Sequence, residues 1–287
     1  MAQVGIINHL EVIKELPFGY YLEGENLGSI LLPNKVAPKG CKIGDWLDVF
    51  LYHDSEDRII ATTRTPLVQV EQCAYLRTVA ITKVGAFVDW GLDKDLLVPF
   101  NEQLQPMAEG LSYVVYLFVD EETGRIAGST RLRDFLSEKG TAFSPGQQVD
   151  LLISARTDLG YKAVINGTHL GLLFRDEAFK PLRIGSRITG FIKQIREDEK
   201  IDLCLQLHNP EARGSLAEQI IADLIAHGGL STLTDKSPAE EISKRFNVSK
   251  AAYKKALGAL YKQQRIMLDK SKITLVDQEN NPIKSDI

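Results

Sequence analysis

Catalysis by side chains needs nucleophiles, proton carriers or metal ligands at short spacing, so those residue types are placed first. The three cysteines, Cys41, Cys73 and Cys204, are odd in number, far apart and never in a Cys-x-x-Cys pair. That pattern points to neither a disulfide framework nor a zinc site. Cys204 falls in the run Ile201-Asp202-Leu203-Cys204-Leu205 and reads as a core thiol. The five histidines, His9, His53, His169, His208 and His227, are scattered. None is read as having the i, i+4 spacing with a nearby carboxylate that a metal site on a helix uses. No Walker loop, dinucleotide fingerprint, His-Glu-x-x-His run or Gly-x-Ser-x-Gly elbow occurs. The expectation is a non-catalytic protein that uses no metal and no cofactor.

What remains is the chemistry of contact. The net charge of −4 taken globally argues against a nucleic-acid binder. The total hides an asymmetry, because Lys236 to Lys272 holds ten basic residues against Glu240, Glu241 and Asp269, a local balance of about +7. Such a patch attracts phosphates. Within it, Ser249 is placed to cap a helix running to Lys262, with Tyr253, Ala256, Leu257 and Leu260 as its buried stripe. The opposite face carries Ala251, Lys254, Lys255, Gly258 and Lys262, small residues among lysines. The candidate phosphate contacts here are Lys250, Lys254, Lys255, Lys262, Lys270 and Lys272. The face lacks the Arg, Asn and Gln that read base edges, so it fits non-specific contact with RNA or duplex DNA, or docking to a protein.

An internal repeat decides which elements hold these residues. Leu16-Pro17-Phe18-Gly19-Tyr20-Tyr21-Leu22-Glu23 followed by Ser29-Ile30-Leu31-Leu32-Pro33 has the layout of Thr82-Lys83-Val84-Gly85-Ala86-Phe87-Val88-Asp89 followed by Asp95-Leu96-Leu97-Val98-Pro99. A third copy is Thr157-Asp158-Leu159-Gly160-Tyr161-Lys162-Ala163-Val164 followed by Gly171-Leu172-Leu173-Phe174. Each copy leads to a turn, at Asp54-Ile59, Asp120-Ile126 and Arg196-Ile201. The shared glycine fits a sharp bend in a small barrel wall. Copies roughly 65 to 75 residues apart suit one five-stranded OB barrel each. Prolines at Pro66, Pro145 and Pro210 mark the seams.

The tail changes period. Ser215-Leu216-Ala217-Glu218 and Ser237-Pro238-Ala239-Glu240 are capping boxes, and Gly228-Gly229 stops the first helix. The second helix reaches about Phe246, and Asn247-Val248 makes the turn to the third. Ile266, Leu268, Ile273 and Leu275 then alternate around Asp269-Lys270-Ser271, and the end from about Asp277 looks frayed. Helix, helix, turn, helix and hairpin is the plan of a winged helix. The fold class is therefore mainly β with a C-terminal α+β module. Three tandem OB barrels (1–65, 66–143 and 144–210) precede a winged-helix domain (214–278).

Val84-Gly85-Ala86-Phe87-Val88-Asp89 with Leu96-Leu97-Val98-Pro99 resembles the S-one repeat, whose strand carries two aromatics bracketing a glycine and whose barrel binds single-stranded RNA. The order of three such barrels and a winged helix resembles the conserved virulence factor B family of bacterial RNA-binding regulators. By that resemblance Phe18 and Tyr21 occupy the two aromatic places of the first repeat, with Asp54 and Arg58 as its acid-arginine pair. In the second, Phe87 matches, Val84 replaces an aromatic, and Asp120 and Arg125 match with one extra residue between. In the third, Leu159 and Lys162 stand in the aromatic places with Tyr161 beside them, and Arg196 and Lys200 replace the pair. The place of the family's later histidine holds Pro33, Pro99 and Phe174.

The candidate stacking platforms are thus Phe18, Tyr21, Phe87, Tyr161 and Phe174, and the candidate phosphate contacts are Arg58, Arg125, Lys162 and Lys200. The expected partner is single-stranded RNA, bound weakly by each barrel and more tightly by the tandem array. The alternatives are a DNA-binding transcription regulator acting through the winged helix, usually as a dimer, and a protein-binding adaptor. No apolar run approaches the roughly 20 residues of a membrane span, and no signal peptide is apparent at Met1-Ala2-Gln3-Val4-Gly5. Cytosolic residence is expected.

Overall fold

The computed structural model describes residues 1–178, 181–206, 210–246, 248–269 and 271–276. They pack as two units, Met1–Glu138 with Val164–Leu170, and Lys139–Ala163 with Gly171 onward. The first unit opens with β1 (Ile7–Leu16), β2 (Gly19–Glu23), β3 (Ser29–Pro33), β4 (Trp46–His53) and β5 (Ile59–Thr62). These close in the order β1-β2-β3-β5-β4, with β3 and β5 parallel. Alternation explains the closure: Leu10, Val12, Leu22, Ile30, Leu32, Val49 and Leu51 turn inward and are buried together.

The second barrel has β6 (Cys73–Ile81), β7 (Gly85–Asp89), β8 (Leu96–Pro99), β9 (Ser112–Val119) and β10 (Ile126–Ser129). Its sheet runs β10-β9-β6-β7-β8. The outer strands meet by packing, and a Cβ built on Gly128 would lie 3.0 Å from the Val98 side chain. The second half of β4, Val49 to Tyr52, is buried on both faces, since Phe50 and Tyr52 turn outward into the core of the second barrel beside Trp90. Phe50 and Trp90 meet edge-on at 5.5 Å. Lys35 and Arg64 both pair with Asp93 (2.7 and 2.5 Å), joining the two barrels at the surface.

The third barrel is closed as β11-β12-β13-β15-β14, with β11 (Gln148–Arg156), β12 (Gly160–Ile165), β13 (His169–Phe174), β14 (Arg187–Ile195) and β15 (Ile201–Cys204). The glycine shared by the repeats opens β2, β7 and β12 rather than bending a strand midway. Its reason is close approach. A Cβ on Gly19, Gly85 or Gly160 would sit 2.5, 2.4 or 2.2 Å from the carbonyl oxygen of Leu32, Val98 or Leu173 across the hairpin. No side chain fits there.

The C-terminal module has α1 (Pro210–Ala226), β16 (Leu230–Ser231), α2 (Ala239–Phe246), α3 (Lys250–Lys262), β17 (Ile266–Leu268) and β18 (Ile273–Leu275). Two details differ from the sequence reading. α1 begins at Pro210, four residues before the expected boundary, because proline is well placed in a first helical turn as well as at a strand end. The short β16 pairs with β18, a two-residue strand too brief to leave a periodic signal. Leu216, Ile220, Leu224, Ile242, Tyr253, Leu257, Ile266 and Ile273 form the core. The expected turn residue Asn247 and the frayed end from Asp277 lie outside the described residues, as do His208 and Asn209.

Candidate nucleic-acid interface

In the first barrel the strand period sets the face. Leu22, Ile30 and Leu32 point in, so the intervening Tyr21 and Leu31 point out. Tyr21 pairs with Leu31, and Leu31 with Ile60, giving an outward row across β2, β3 and β5. Phe18 lies at the hairpin tip, 56% exposed, with its ring 6.4 Å from that of Tyr21 and nearly perpendicular to it. The two rings make a wedge rather than a flat pair. At the following turn Arg58 donates from Nε and Nη2 to Asp54 (2.9 and 2.7 Å) and from Nη1 to Glu56 (2.8 Å). Burial alone would raise the Asp54 carboxyl, but hydrogen bonds from Arg58 and from the Glu56 backbone outweigh it and hold it below the ordinary value. The pair expected from sequence is therefore made.

The second barrel repeats the row. Phe87 pairs with Leu97 while Ala86, Val88 and Val98 are buried, and Val84 stands exposed at the tip where Phe18 stands in the first. Phe100, exposed in the turn after β8, adds an aromatic the sequence reading did not name. The Asp120–Arg125 pair is not made. Asp120 instead accepts from the Thr123 backbone N–H and hydroxyl (2.8 and 2.7 Å). The extra turn residue carries Arg125 away from it to Asp57 of the first barrel.

The third barrel departs in two respects. Tyr161 follows its glycine directly, so alternation turns it into the core, 8% exposed, where its hydroxyl accepts from the Leu182 N–H at 3.2 Å. It is not a platform, and the outward place is that of the half-buried Lys162. Beside it the half-buried Phe174 has the Arg196 guanidinium 6.0 Å from its ring centroid. Arg196 Nε and Gln194 Nε2 donate to the two oxygens of Asp202 (both 2.8 Å), whose side chain is only 3% exposed. A charged network thus lies on β14 and β15, where Asp202, opposite Leu172, takes the place that Ile60, opposite Leu31, has in the first barrel. An acid inside the apolar run Ile201-Leu203-Cys204 was its one signal in the sequence. Lys200 pairs with Asp198 at 3.2 Å. Cys204 is buried, and burial pushes its thiol up to about 11.

In the winged helix Ser249 accepts from the Ala252 N–H and caps α3, leaving Lys254, Lys255 and Lys262 exposed on one side. Lys250 is half-buried, its Nζ donating to the Lys236 carbonyl at 3.2 Å, and Lys254 lies 4.0 Å from Asp235. Lys272 is exposed; Lys270 lies outside the described residues. Tyr261 is an exposed aromatic on the same helix that sequence reasoning passed over. His227 does have a carboxylate at i−4, Asp223, with Arg245 bridging both, an ion-pair cluster rather than a ligand set. Among the described residues no group of His, Cys, Asp and Glu could hold a metal ion, and no helix is long and apolar enough to cross a membrane.

Small barrels carrying outward aromatics, followed by a basic winged helix, define a modular protein of the nucleic-acid-binding class. Comparison with known proteins agrees. Residues 4–64 match the S1 domain model, and residues 218–275 match the CvfB-like winged helix domain model. The uncharacterized protein YitL of Bacillus subtilis is 30% identical over 271 residues, 90% of this chain and 88% of that protein. Conserved virulence factor B of Staphylococcus epidermidis is 26% identical over 285 residues, 95% of this chain and 94% of that protein. A solved structure described as a multidomain protein with nucleic acid binding domains from Streptococcus pneumoniae shares 25% identity and a TM-score of 0.41, covering 94% of this chain and 97% of that chain. The chain belongs to the conserved virulence factor B family. Its S1 and winged-helix domains support a nucleic-acid-binding role.

Proposed function

We propose that this protein is a non-catalytic, cytosolic RNA-binding regulator that engages single-stranded RNA through the outward faces of its first two barrels. The observation that carries the proposal is the repeated register: Tyr21 beside Leu31, and Phe87 beside Leu97, with Phe18 free at a tip. An aromatic next to an aliphatic on the outer face of a barrel gives an unstacked base a face to lie on, worth about 1–3 kcal/mol per base. Arg58 and Arg125 stand at the turns beside these faces, already paired with carboxylates, so phosphate contact is an exchange of partners and each barrel binds weakly. Two weak faces in one unit act through effective concentration. The third barrel, with Lys162 in the place of Tyr21 and Phe87 and the Arg196–Asp202 pair beside Phe174, contributes less stacking and more hydrogen bonding. The lysines of α3 add non-specific phosphate contact, and acting alone they would favour the second reading, contact with duplex DNA.

Photo-crosslinking with RNA carrying 4-thiouridine, followed by mapping of the attached residues, tests the proposal. Crosslinks at Phe18, Tyr21 or Phe87 are the expected result. Crosslinks confined to α3 and the β17–β18 turn would overturn it.

A further inference from the structure

Of the two tryptophans, Trp90 is buried with its indole N–H donating to the Lys94 carbonyl, whereas Trp46 is 57% exposed. Trp46 opens β4 opposite Glu11 of β1, and the next outward pair along the same two strands is His9 opposite Asp48. His9 stacks on one face of the indole, with centroids 5.2 Å apart and planes 24° from parallel. Its Nδ1 is in turn held 2.7 Å from the Asp48 carboxylate. A ring fixed on one side by an imidazole, itself fixed by a carboxylate, is a preorganised surface. Three residues before it stands Ile43, 61% exposed. None of these residues belongs to the row through Tyr21 and Leu31.

The charge around the indole decides what it fits. Glu11, Asp45 and Asp48 surround it in sequence and register, with Lys42 the basic neighbour in the adjoining loop. A phosphate backbone would meet net negative charge here, so this aromatic is unsuited to RNA. A cation meets the opposite: the face of tryptophan attracts a guanidinium or ammonium, and flanking carboxylates add to the attraction. We propose that this face docks a basic segment of a partner protein, one arginine or lysine lying against the indole and an adjacent aliphatic side chain covering Ile43. The surface would let the protein hold RNA on one face and a basic protein on another.

The test uses the full chain and a fluorescein-labelled heptapeptide alternating arginine and leucine, with a glutamate-for-arginine peptide as control. Anisotropy reports binding, and tryptophan emission reports contact, since Trp90 is buried and contributes a constant background. Saturable binding of the arginine peptide with a change in emission is expected, weakened by salt and absent for the glutamate peptide. Trp46→Ala should weaken it about two- to fivefold, the worth of one exposed cation–π contact. Asp48→Lys, which keeps the indole, should weaken it as well. Equal binding of both peptides, or undiminished binding by both variants, would overturn the proposal. So would an oligouridylate that competes with the peptide for Trp46, which would make the face an RNA site.

Discussion

Gly85→Ala is the sharpest perturbation of the framework that holds the second aromatic row. The new Cβ would lie 2.4 Å from the Val98 carbonyl oxygen and 2.9 Å from Pro99 Cα, and the residue sits at φ +151°. Every atom it meets is backbone, so no side chain can swing aside. Relief requires β7 to part from β8 at the pairs Gly85–Pro99 and Ala86–Val98, next to Phe87–Leu97. Overpacking of this kind costs about 1–3 kcal/mol and an unfavourable φ about 1–3 kcal/mol more. A combined loss of about 3 kcal/mol lowers the midpoint of a unit this size by roughly 6–12 °C. Gly110→Ala is the control, because its φ is +80° but nothing lies within 4 Å of the added carbon. It should cost only the conformational part, about 1 kcal/mol. Thermal melts followed by circular dichroism compare the two. If Gly85→Ala melts within about 2 °C of Gly110→Ala, close approach is not what fixes this glycine.

Three further outcomes are expected. Tyr161→Phe removes the acceptor for the Leu182 N–H, costing about 1 kcal/mol in chemical denaturation while leaving RNA affinity unchanged; a drop in affinity would return Tyr161 to the binding face. Asp57→Asn releases Arg125 from an exposed ion pair, so stability changes by less than about 1 kcal/mol, while RNA binds more tightly with a salt slope steeper by up to about 1. Burial, then the nearby Lys94 charge, lowers the His53 imidazole below its ordinary value of 6.5, and burial also lowers His169. The unfolded chain then takes up protons near pH 6.5 that the folded one refuses, so stability is full above that pH and is lost as the pH falls through the depressed folded values. Urea midpoints between pH 7.5 and 5 should decline, and less steeply in His53→Gln.

The repeats were legible because their order of glycine, apolar strand and turn survives where single residues do not. Phe18, Tyr21 and Phe87 lie on exposed or half-buried ground, as a platform requires, and the alternation that turns Tyr21 and Phe87 outward is the one that turns Tyr161 inward. Counting from each glycine would have found the exception: the next residue faces in, the one after faces out, as Tyr20 and Tyr21 already show. Leu31 and Leu97 were missed because alternation assigns leucine to the core, yet the unbroken runs Ile30-Leu31-Leu32 and Leu96-Leu97-Val98 imply apolar side chains on both faces. The Arg125–Asp57 bridge was beyond reach, since it joins residues 68 apart and local spacing favoured Asp120. The Phe50–Tyr52–Trp90 cluster that welds the first two barrels was hidden for the same reason.

Binding of single-stranded RNA by the outward faces of the first two barrels would be read from fluorescence anisotropy of the intact chain. Labelled single-stranded RNA and duplex DNA would be titrated at two salt concentrations with the parent, with Tyr21→Ala/Phe87→Ala, and with Lys254→Glu/Lys255→Glu. RNA should bind more tightly than duplex DNA, with an affinity that falls as salt rises. The aromatic double variant should lose about thirtyfold or more for RNA, two stacking contacts at the low end of their range. Undiminished RNA binding by that variant, or duplex DNA bound as tightly and lost only with the lysine variant, would contradict binding by those faces.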